Sequence, residues 1–333
     1  LTGTIGAVTD SEPDWLASAR TSQVADDLHM VTYAPGECLF LQGDVGHEFL
    51  ILAAGHARVR RNHHGSEREI AEVGPGALLG ELSLLTDAPR ANTVTALDEV
   101  SAFAGDERAF ERLLDLEPVR QHFALTAAER LARMAEPVET TLRNGVTVQI
   151  RPLLPQDRSA YLDALGRLSQ ESLRNRFFTP GQPPASVIHY LLDIDYARHF
   201  AWVVTDPSNR EHPGVGVARY VNSDDSPPHY AELAMGIADE FQGQGLGTIL
   251  MGALGVAARA SGFTRLGGEV LSDNTGMRRL FDKAGAEWVV DEPGVVRTDV
   301  AVDRVIQLID PELAARFERS IHNMGIATSI ALT

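Results

Sequence analysis

The stretch Tyr230-Ala231-Glu232-Leu233-Ala234-Met235-Gly236-Ile237, then Ala238-Asp239-Glu240-Phe241, then Gln242-Gly243-Gln244-Gly245-Leu246-Gly247-Thr248, decides the fold of the second half of the chain. It reads as a strand, a turn and the start of an apolar helix over 246–261. The glycines fall at two-residue intervals, unlike the G-x-G-x-x-G of a dinucleotide fold, and no Lys-Ser/Thr follows as in an ATP-binding P-loop. Glycines set closely before a helix let backbone amides approach a pyrophosphate. Taken alone, the pattern is also that of a plain Gly-rich strand-to-helix turn.

Working outward, 147–151, 200–205, 214–221 and 265–271 read as further strands. Residues 156–176, 186–193 and 275–284 read as helices, with a loop at 180–184. Strands and helices mixed around one sheet predict an α/β or α+β domain over 146–300, followed by a helical extension, 301–333, with an amphipathic helix over 311–324. The first half differs. Short alternating apolar stretches at 37–41, 48–53, 56–61, 67–73 and 92–96, punctuated by Gly and Pro, predict a β-sandwich or β-roll. From 106 to 134 the period becomes helical, with Phe110, Leu113, Leu114, Phe123, Leu131 and Met134 on one face and Pro118 dividing two helices. The first domain is therefore expected over 1–137, with a polar linker at 138–145.

A chain of 333 residues suits about two domains. No apolar run approaches the roughly 18 residues that span a membrane, and the opening LTGTIGAVTDSEPDW has neither the basic start nor the apolar centre of a secretory leader. The single cysteine, Cys38, excludes an internal disulfide and points to the cytoplasm. A net charge of −17 argues against a nucleic-acid partner, which would require a basic face. No histidines have zinc spacing, His63-His64 reading as a polar hairpin turn, so no metal is implied.

In the first half, Leu79-Gly80-Glu81-Leu82-Ser83-Leu84-Leu85 leads through Thr86-Asp87-Ala88-Pro89 to Arg90-Ala91-Asn92-Thr93-Val94. Gly80 allows a tight turn, the helix start over 81–85 exposes unpaired N–H groups, and Arg90 can return a guanidinium to grip phosphate oxygens. Glu81 can accept hydrogen bonds from a sugar hydroxyl. A Gly-Glu and an Arg by themselves are also compatible with a surface ion pair. The full arrangement, with Pro35-Gly36-Glu37, Gln42-Gly43-Asp44, Phe49-Leu50-Ile51, Gly55 and Arg58-Val59 before it, resembles the phosphate-binding cassette of the cyclic-nucleotide-binding domain family over about 20–134. The resemblance implies that Arg90 binds the cyclic phosphate and Glu81 the ribose 2′-hydroxyl, with Gly80, Leu82, Ala91 and Asn92 completing the cradle. Ala91 after the arginine resembles members that prefer cAMP; Asn92 departs from the usual small residue. The familiar relatives place a small basic helix-turn-helix behind this domain, and the second half of this chain does not have that pattern.

In the second half, Gln242-x-x-Gly245-x-Gly247 after a strand, together with Leu271-Ser272-Asp273-Asn274, Met277-Arg278, Leu280-Phe281, Lys283 and Gly285, resembles the GNAT acetyltransferase superfamily over roughly 146–300. The resemblance implies acetyl-CoA as donor, its pyrophosphate on the backbone of Gln242, Gly243, Gln244, Gly245, Leu246, Gly247 and Thr248. Its pantetheine would lie along Met235, Gly236 and Ile237, with Asn274 near it. A lysine amine of pKa about 10.4 is neutral in only roughly one molecule per few thousand at pH 7, so attack on a thioester requires a base. Glu232, between Ala231 and Leu233, is the candidate, and apolar surroundings would raise its pKa; a solvent-facing strand residue is the plainer reading of the same alternation. Glu240 is the second choice. Phe281 stands where many members carry a tyrosine that protonates the leaving thiolate.

The two domains together, with Arg174-x-Arg176-Phe177, Asp195-Tyr196-x-x-His199-Phe200 and Ala231-Glu232-Leu233-Ala234, resemble the actinobacterial cAMP-regulated protein lysine acetyltransferases, whose substrates include acyl-CoA synthetases. Autoinhibition is expected, with 172–199 as a lid over the acyl site. Two other readings stay open: a non-catalytic cAMP and acyl-CoA sensor, and a small-molecule N-acetyltransferase.

Overall fold

A computed structural model describes residues 23–63, 65–179, 181–223, 226–227 and 229–332. The opening segment read above for a leader, His64 of the expected hairpin turn and Pro180 of the expected loop lie outside the described residues. The chain divides into two compact units between Ala127 and Ala128. Among the described residues no helix is long and apolar enough to cross a membrane.

The first unit begins with a 3-10 turn, Gln23–Asp27, followed by β1 (His29–Tyr33), β2 (Cys38–Phe40), β3 (Glu48–Ala54), β4 (Ala57–His63), β5 (Ser66–Val73) and β6 (Leu78–Leu79). Helix α1 (Glu81–Thr86), β7 (Thr93–Ala96), β8 (Val100–Asp106) and α2 (Glu107–Leu114) follow, and α3 (Glu117–Met134) runs across the division. The strands form two four-stranded sheets, ordered β1-β8-β3-β6 and β2-β7-β4-β5. Strand β3 explains the layering. Its alternate residues Leu50 and Leu52 join Val59, Val94 and Ala102 in one apolar cluster, while Phe49 and Ile51 join Phe110, Leu113 and Phe123 of the helices in another. A strand buried on both faces reads as a continuous apolar run, and Phe49-Leu50-Ile51-Leu52 is one. The result is the expected β-roll with flanking helices.

The second unit carries β9 (Val138–Thr141), β10 (Thr147–Pro152), a 3-10 turn (Pro155–Asp157), α4 (Arg158–Gly166), α5 (Gln170–Phe177), α6 (Ala185–Leu192), β11 (His199–Thr205) and β12 (Gly214–Val221). It continues through β13 (Tyr230–Ile237), a 3-10 turn (Asp239–Phe241), α7 (Leu246–Ala260), β14 (Arg265–Leu271), α8 (Thr275–Lys283), β15 (Val289–Glu292), β16 (Val295–Ala301), α9 (Val302–Ile306) and α10 (Pro311–Leu332). All strands lie in one eight-stranded sheet, ordered β15-β16-β14-β13-β12-β11-β10-β9.

Three expectations are corrected. The segment 138–145 is a hairpin arm, not a linker: β9 pairs antiparallel with β10 from Ile150↔Val138 to Thr147↔Thr141, and Val138 and Leu142 are buried. The span 156–176 is broken, because Ser169 caps α5 by accepting from the Ser172 amide at 3.2 Å. No strands were expected past Ala284, yet β15 and β16 add two to the sheet through a turn at Gly294, φ +86°.

Helix α7 is buried nearly all round, since α9 and α10 cover the side that faces away from the sheet. Over 301–325 the expected extension is thus a structural layer. Trp202 of β11 donates its indole N–H to the Ala253 carbonyl at 3.0 Å and packs on Phe317 of α10. A Cβ on Gly252 would stand 2.7 Å from Ile309, and one on Gly255 2.9 Å from Ile306. Gly252→Val should therefore destabilise the chain by about 1–3 kcal/mol, read as a fall in the urea midpoint; an unchanged midpoint would mean that α9 and α10 are not docked there.

Candidate functional site

The acyl cleft arises from a mismatch in strand pairing. Strand β13 pairs antiparallel with β12 along its length, from Val221↔Glu232 to Gly216↔Ile237. Its parallel pairing with β14 covers only Tyr230↔Arg265, Ala231↔Leu266 and Glu232↔Gly267. Past Gly267, β14 stays paired to β16 as far as Leu271↔Val295 and diverges from β13. The backbone of 233–237 thus borders a wedge, where polar groups aimed toward β14 lack a strand partner and suit an extended amide-bearing chain.

The wedge opens into a cleft of about 500 Å³. Its walls include Glu232, Leu233, Ala234, Met235, Gly236 and Ile237 of β13, the loop residues Gln242, Gly243, Gly245, Gly247 and Thr248, and Asn274. Gly243 and Gly245 have φ of +71° and +93°, so left-handed backbone turns the chain into α7. The Thr248 amide donates to the Gly245 carbonyl at 3.1 Å, whereas an amide of the first turn ahead of it has no helical carbonyl to bond, which suits a phosphate. Gln244 is outside the lining and its carbonyl accepts from the Arg143 amide at 3.3 Å, while Leu246 is buried in the core. Gln242 ties the loop together, donating to the Ile237 carbonyl at 3.0 Å and to Asp239 and Ser172 at 3.1 Å. Asn274 caps α8 by accepting from the Met277 amide at 3.0 Å.

Glu232 is exposed, whereas Ala231 and Leu233 are buried on the opposite face of the strand. The apolar surroundings expected for it are therefore absent: alternation sends its neighbours' side chains away from it. Glu269, also in the lining, has its pKa raised by burial and by the Asp291 and Glu232 carboxylates. Glu240 instead accepts from Arg167 at 3.2 Å and does not line the cleft. Phe281 is fully buried against Trp288, and no tyrosine lines the cleft. Arg143, Arg279 and Lys283 do line it. Spacing did not single out these two arginines as cofactor contacts; the signal in hindsight was cationic residues just before β10 and along α8.

In the first unit Gly80, Glu81 and Leu82 lie at the start of α1, and Arg90, Ala91 and Asn92 in the segment leading to β7. Arg90 is buried and donates to the carbonyls of Gly80 (2.8 Å) and Glu48 (2.7 Å), its guanidinium 3.9 Å from the Phe40 ring centre. Burial lowers its pKa, while Glu48, Glu81 and Asp44 act the other way. Gly80 has φ +85°, and a Cβ on it would stand 2.5 Å from Arg90 Nη1; one on Gly46 would stand 2.7 Å from Arg90 Cζ. Glu81 is also buried, and the Asn92 side-chain oxygen is buried without a hydrogen-bond partner. The arrangement is a guanidinium held by backbone dipoles beside a helix start, suited to a phosphate and a polar sugar edge.

The family "Cyclic nucleotide-binding domain" matches residues 30–117, and the family "Acetyltransferase (GNAT) domain" matches residues 147–287. Acetyltransferase Pat of Mycolicibacterium smegmatis is 35% identical over 291 residues, spanning 87% of this chain and 86% of that one. The chain belongs to this family of acetyltransferases. The cAMP-dependent protein kinase regulatory subunit of Mycosarcoma maydis is 38% identical over 104 residues, 30% of this chain and 20% of its own length. A solved structure of a cAMP-binding acyltransferase from Mycobacterium smegmatis is 31% identical and covers 94% of this chain and 92% of that one, with a TM-score of 0.48.

As a member of this acetyltransferase family, the chain is an acetyltransferase controlled by a cyclic nucleotide, with acetyl-CoA as donor. The cleft fits that donor: glycine-bearing loop, helix start, cationic rim and unpaired strand edge occur together. On β11, His199 is buried with Nε2 at 2.9 Å from Arg219 Nη1, a contact that requires a neutral ring. Burial, then the Arg219 charge, lower its pKa from 6.5 to about 4. Protons therefore favour the unfolded chain: stability is full above about pH 6.5 and falls as pH drops toward about 4, by about 3 kcal/mol from this group. Denaturant midpoints between those limits should show this slope in the wild type and a shallower one in His199→Gln.

Proposed function

We propose that the protein transfers the acetyl group of acetyl-CoA to the ε-amine of a lysine on a protein substrate, with Glu232 as general base and cAMP as effector. The observation that carries this reading is the position of Glu232: it is exposed at the cleft and is the last β13 residue paired to β14. A carboxylate there meets an incoming ammonium and takes its proton before the amine attacks the thioester carbonyl. Collapse of the tetrahedral intermediate breaks the C–S bond, and the second proton of the attacking nitrogen passes to the departing CoA thiolate as the amide forms, with an amide N–H near Met235 holding the oxyanion. The Glu269 carboxylate beside it makes the mouth more acidic, which favours a cationic acceptor. Met235, Gly236, Ile237, Gln242, Gly243, Gly245, Gly247, Thr248 and Asn274 contact the donor, and Arg143, Arg279 and Lys283 neutralise its phosphates.

In the first unit, Arg90 binds the cyclic phosphate and Glu81 the ribose hydroxyl, with Gly80, Leu82, Ala91 and Asn92 around them. Relatives named as cAMP-dependent support the choice of nucleotide. The regulatory region is 1–137 and the acetyltransferase region 138–301, the β9 arm included. Acyl-CoA synthetases are the proposed substrate class, resting on the family resemblance. The lid is proposed within 172–199: Ser172, Asn175, Arg176 and Phe178 line the cleft, whereas no described side chain of α10 does. Nucleotide acts by binding the lid-open state more tightly, a coupling of about 1–3 kcal/mol. The sensor reading draws on one observation, the absence of a tyrosine from the cleft lining.

Acetyl transfer from labelled acetyl-CoA to an acyl-CoA synthetase should rise about 5–150-fold with cAMP in the wild type and not in Arg90→Ala. Glu232→Gln should lower kcat about 10²–10⁴-fold while still binding acetyl-CoA. Tight CoA binding with no transfer to any protein or small amine would favour the sensor.

A further inference from the structure

Beside the acyl cleft lies a second chamber of about 430 Å³, between α4, α5 and the sheet. Its floor includes Arg219 of β12, which is 2% exposed. Arg219 Nη1 donates to the Leu191 carbonyl and to His199 Nε2, but Nη2 is buried with no hydrogen-bond partner. The Tyr161 ring centre stands 5.9 Å from its guanidinium carbon. Burial lowers its pKa to about 10; the phenols of Tyr161 and Tyr190 act upward, Tyr161 also through a side-chain hydrogen bond to the guanidinium, and the charged group acting on it is another cation, Arg176. Arg176 also lines the chamber and has Glu232 and Tyr161 acting on it. The third arginine of the lining, Arg151, is already held by both Asp157 oxygens at 2.7 Å.

A buried guanidinium with no carboxylate is costly, by several kcal/mol before compensation. Arg176, half-buried and already under the Glu232 charge, brings a second guanidinium to the same cavity and raises that cost, and an anion offsets it. Its chemistry follows from the walls. Apolar side chains such as Ala164, Leu165, Val203 and Val217 suit a short hydrocarbon chain, and a planar guanidinium suits a carboxylate at its end.

The chamber is continuous in surface with the acyl cleft. Leu168, Arg176 and Gly236 line both. Cross-strand partners share a face, so the pairs Val217↔Gly236, Arg219↔Ala234 and Val221↔Glu232 set Arg219 on the same face as Glu232. A Cβ on Gly236 would meet no atom within 4 Å, so no side chain fills the space between them at that point.

We propose that this chamber binds the carboxylate of a short aliphatic dicarboxylic acid through Arg219 and Arg176, either as the free acid or as the far end of an acyl chain whose thioester lies in the cleft. The acyl-chain source rests on the acetyltransferase reading; the free-acid source does not. The probes are succinate for the free acid, and succinyl-CoA against butyryl-CoA, a neutral chain of matching length, for the acyl chain. Calorimetric titration of the full chain should show saturable succinate binding, or succinyl-CoA bound about 10–100-fold more tightly than butyryl-CoA, the range of a charge-assisted hydrogen bond. Binding of succinate alone assigns the free acid, and preference among thioesters assigns the acyl chain. In Arg219→Met both signals should vanish and the thioester ratio should approach one.

Val217→Glu keeps the test open if Arg219→Met does not fold. A tethered carboxylate in the chamber should melt no lower than Val217→Gln and should abolish the wild-type signal. Wild-type behaviour in folded Val217→Glu overturns the proposal. So does a wild type that binds no succinate and binds the two thioesters equally. Failure to bind acetyl-CoA at all would instead overturn the donor assignment, and the succinate titration would still decide the chamber.

Discussion

The parallel pairing between β13 and β14 stops at Glu232↔Gly267, and the chemistry of the second unit depends on that stop. Had the strands stayed paired to Ile237, the edge of 233–237 would be satisfied by β14, and no backbone would remain for a substrate chain to pair with. Neighbouring glycines set the geometry there. A Cβ on Gly267 would stand 2.4 Å from the Thr298 carbonyl, and one on Gly268 3.1 Å from that of Leu233. The crossover helix α7 holds the divergence open because both its faces are packed, one on the sheet and one under α9 and α10. The same helix starts at the glycine loop, so the core that fixes the wedge also aims the helix start at the cleft.

Arginines held by backbone carbonyls recur in both units. Arg90 donates to Gly80 and Glu48, and Arg219 to Leu191, with no carboxylate hydrogen-bonded to either among the contacts described. A carbonyl carries a partial charge only, so a guanidinium placed this way retains attraction for an anion that a paired carboxylate would have quenched. Arg151, with both Asp157 oxygens, shows the contrasting structural use of the same side chain. In the first unit the proposed anion is a cyclic phosphate; in the second, a short carboxylate.

The sequence was most legible where periodicity and glycine spacing coincide. The apolar run of β3, the strand β13 and the loop into α7 were all readable, because a strand's alternation and a helix's period survive whatever packs on them. The rest required partners. Segment 138–145 looked like a polar linker, although Asn144-Gly145 is a hairpin signal and Gly145 has φ +85°. Its strand character comes from pairing with β10, which lies across the turn. The break at Ser169 was hidden because apolar period continued through it. Glu232 is legible as an acid on a strand, but its exposure is not, since the apolar neighbours in a strand face the other way. Arg219 was invisible, because an arginine in an alternating strand reads as solvent-facing until α4, α5 and α6 are placed over it.

Hydrogen exchange along β13, with and without acetyl-CoA, tests the central claim most directly. If the wedge is where the donor lies, amides within 233–237 that point away from β12 should exchange readily in the free protein. They should slow on binding, while amides paired to β12 change little. Binding of acetyl-CoA with no change in those amides would contradict the account, because the donor would then lie elsewhere than along the strand edge left open at Glu232.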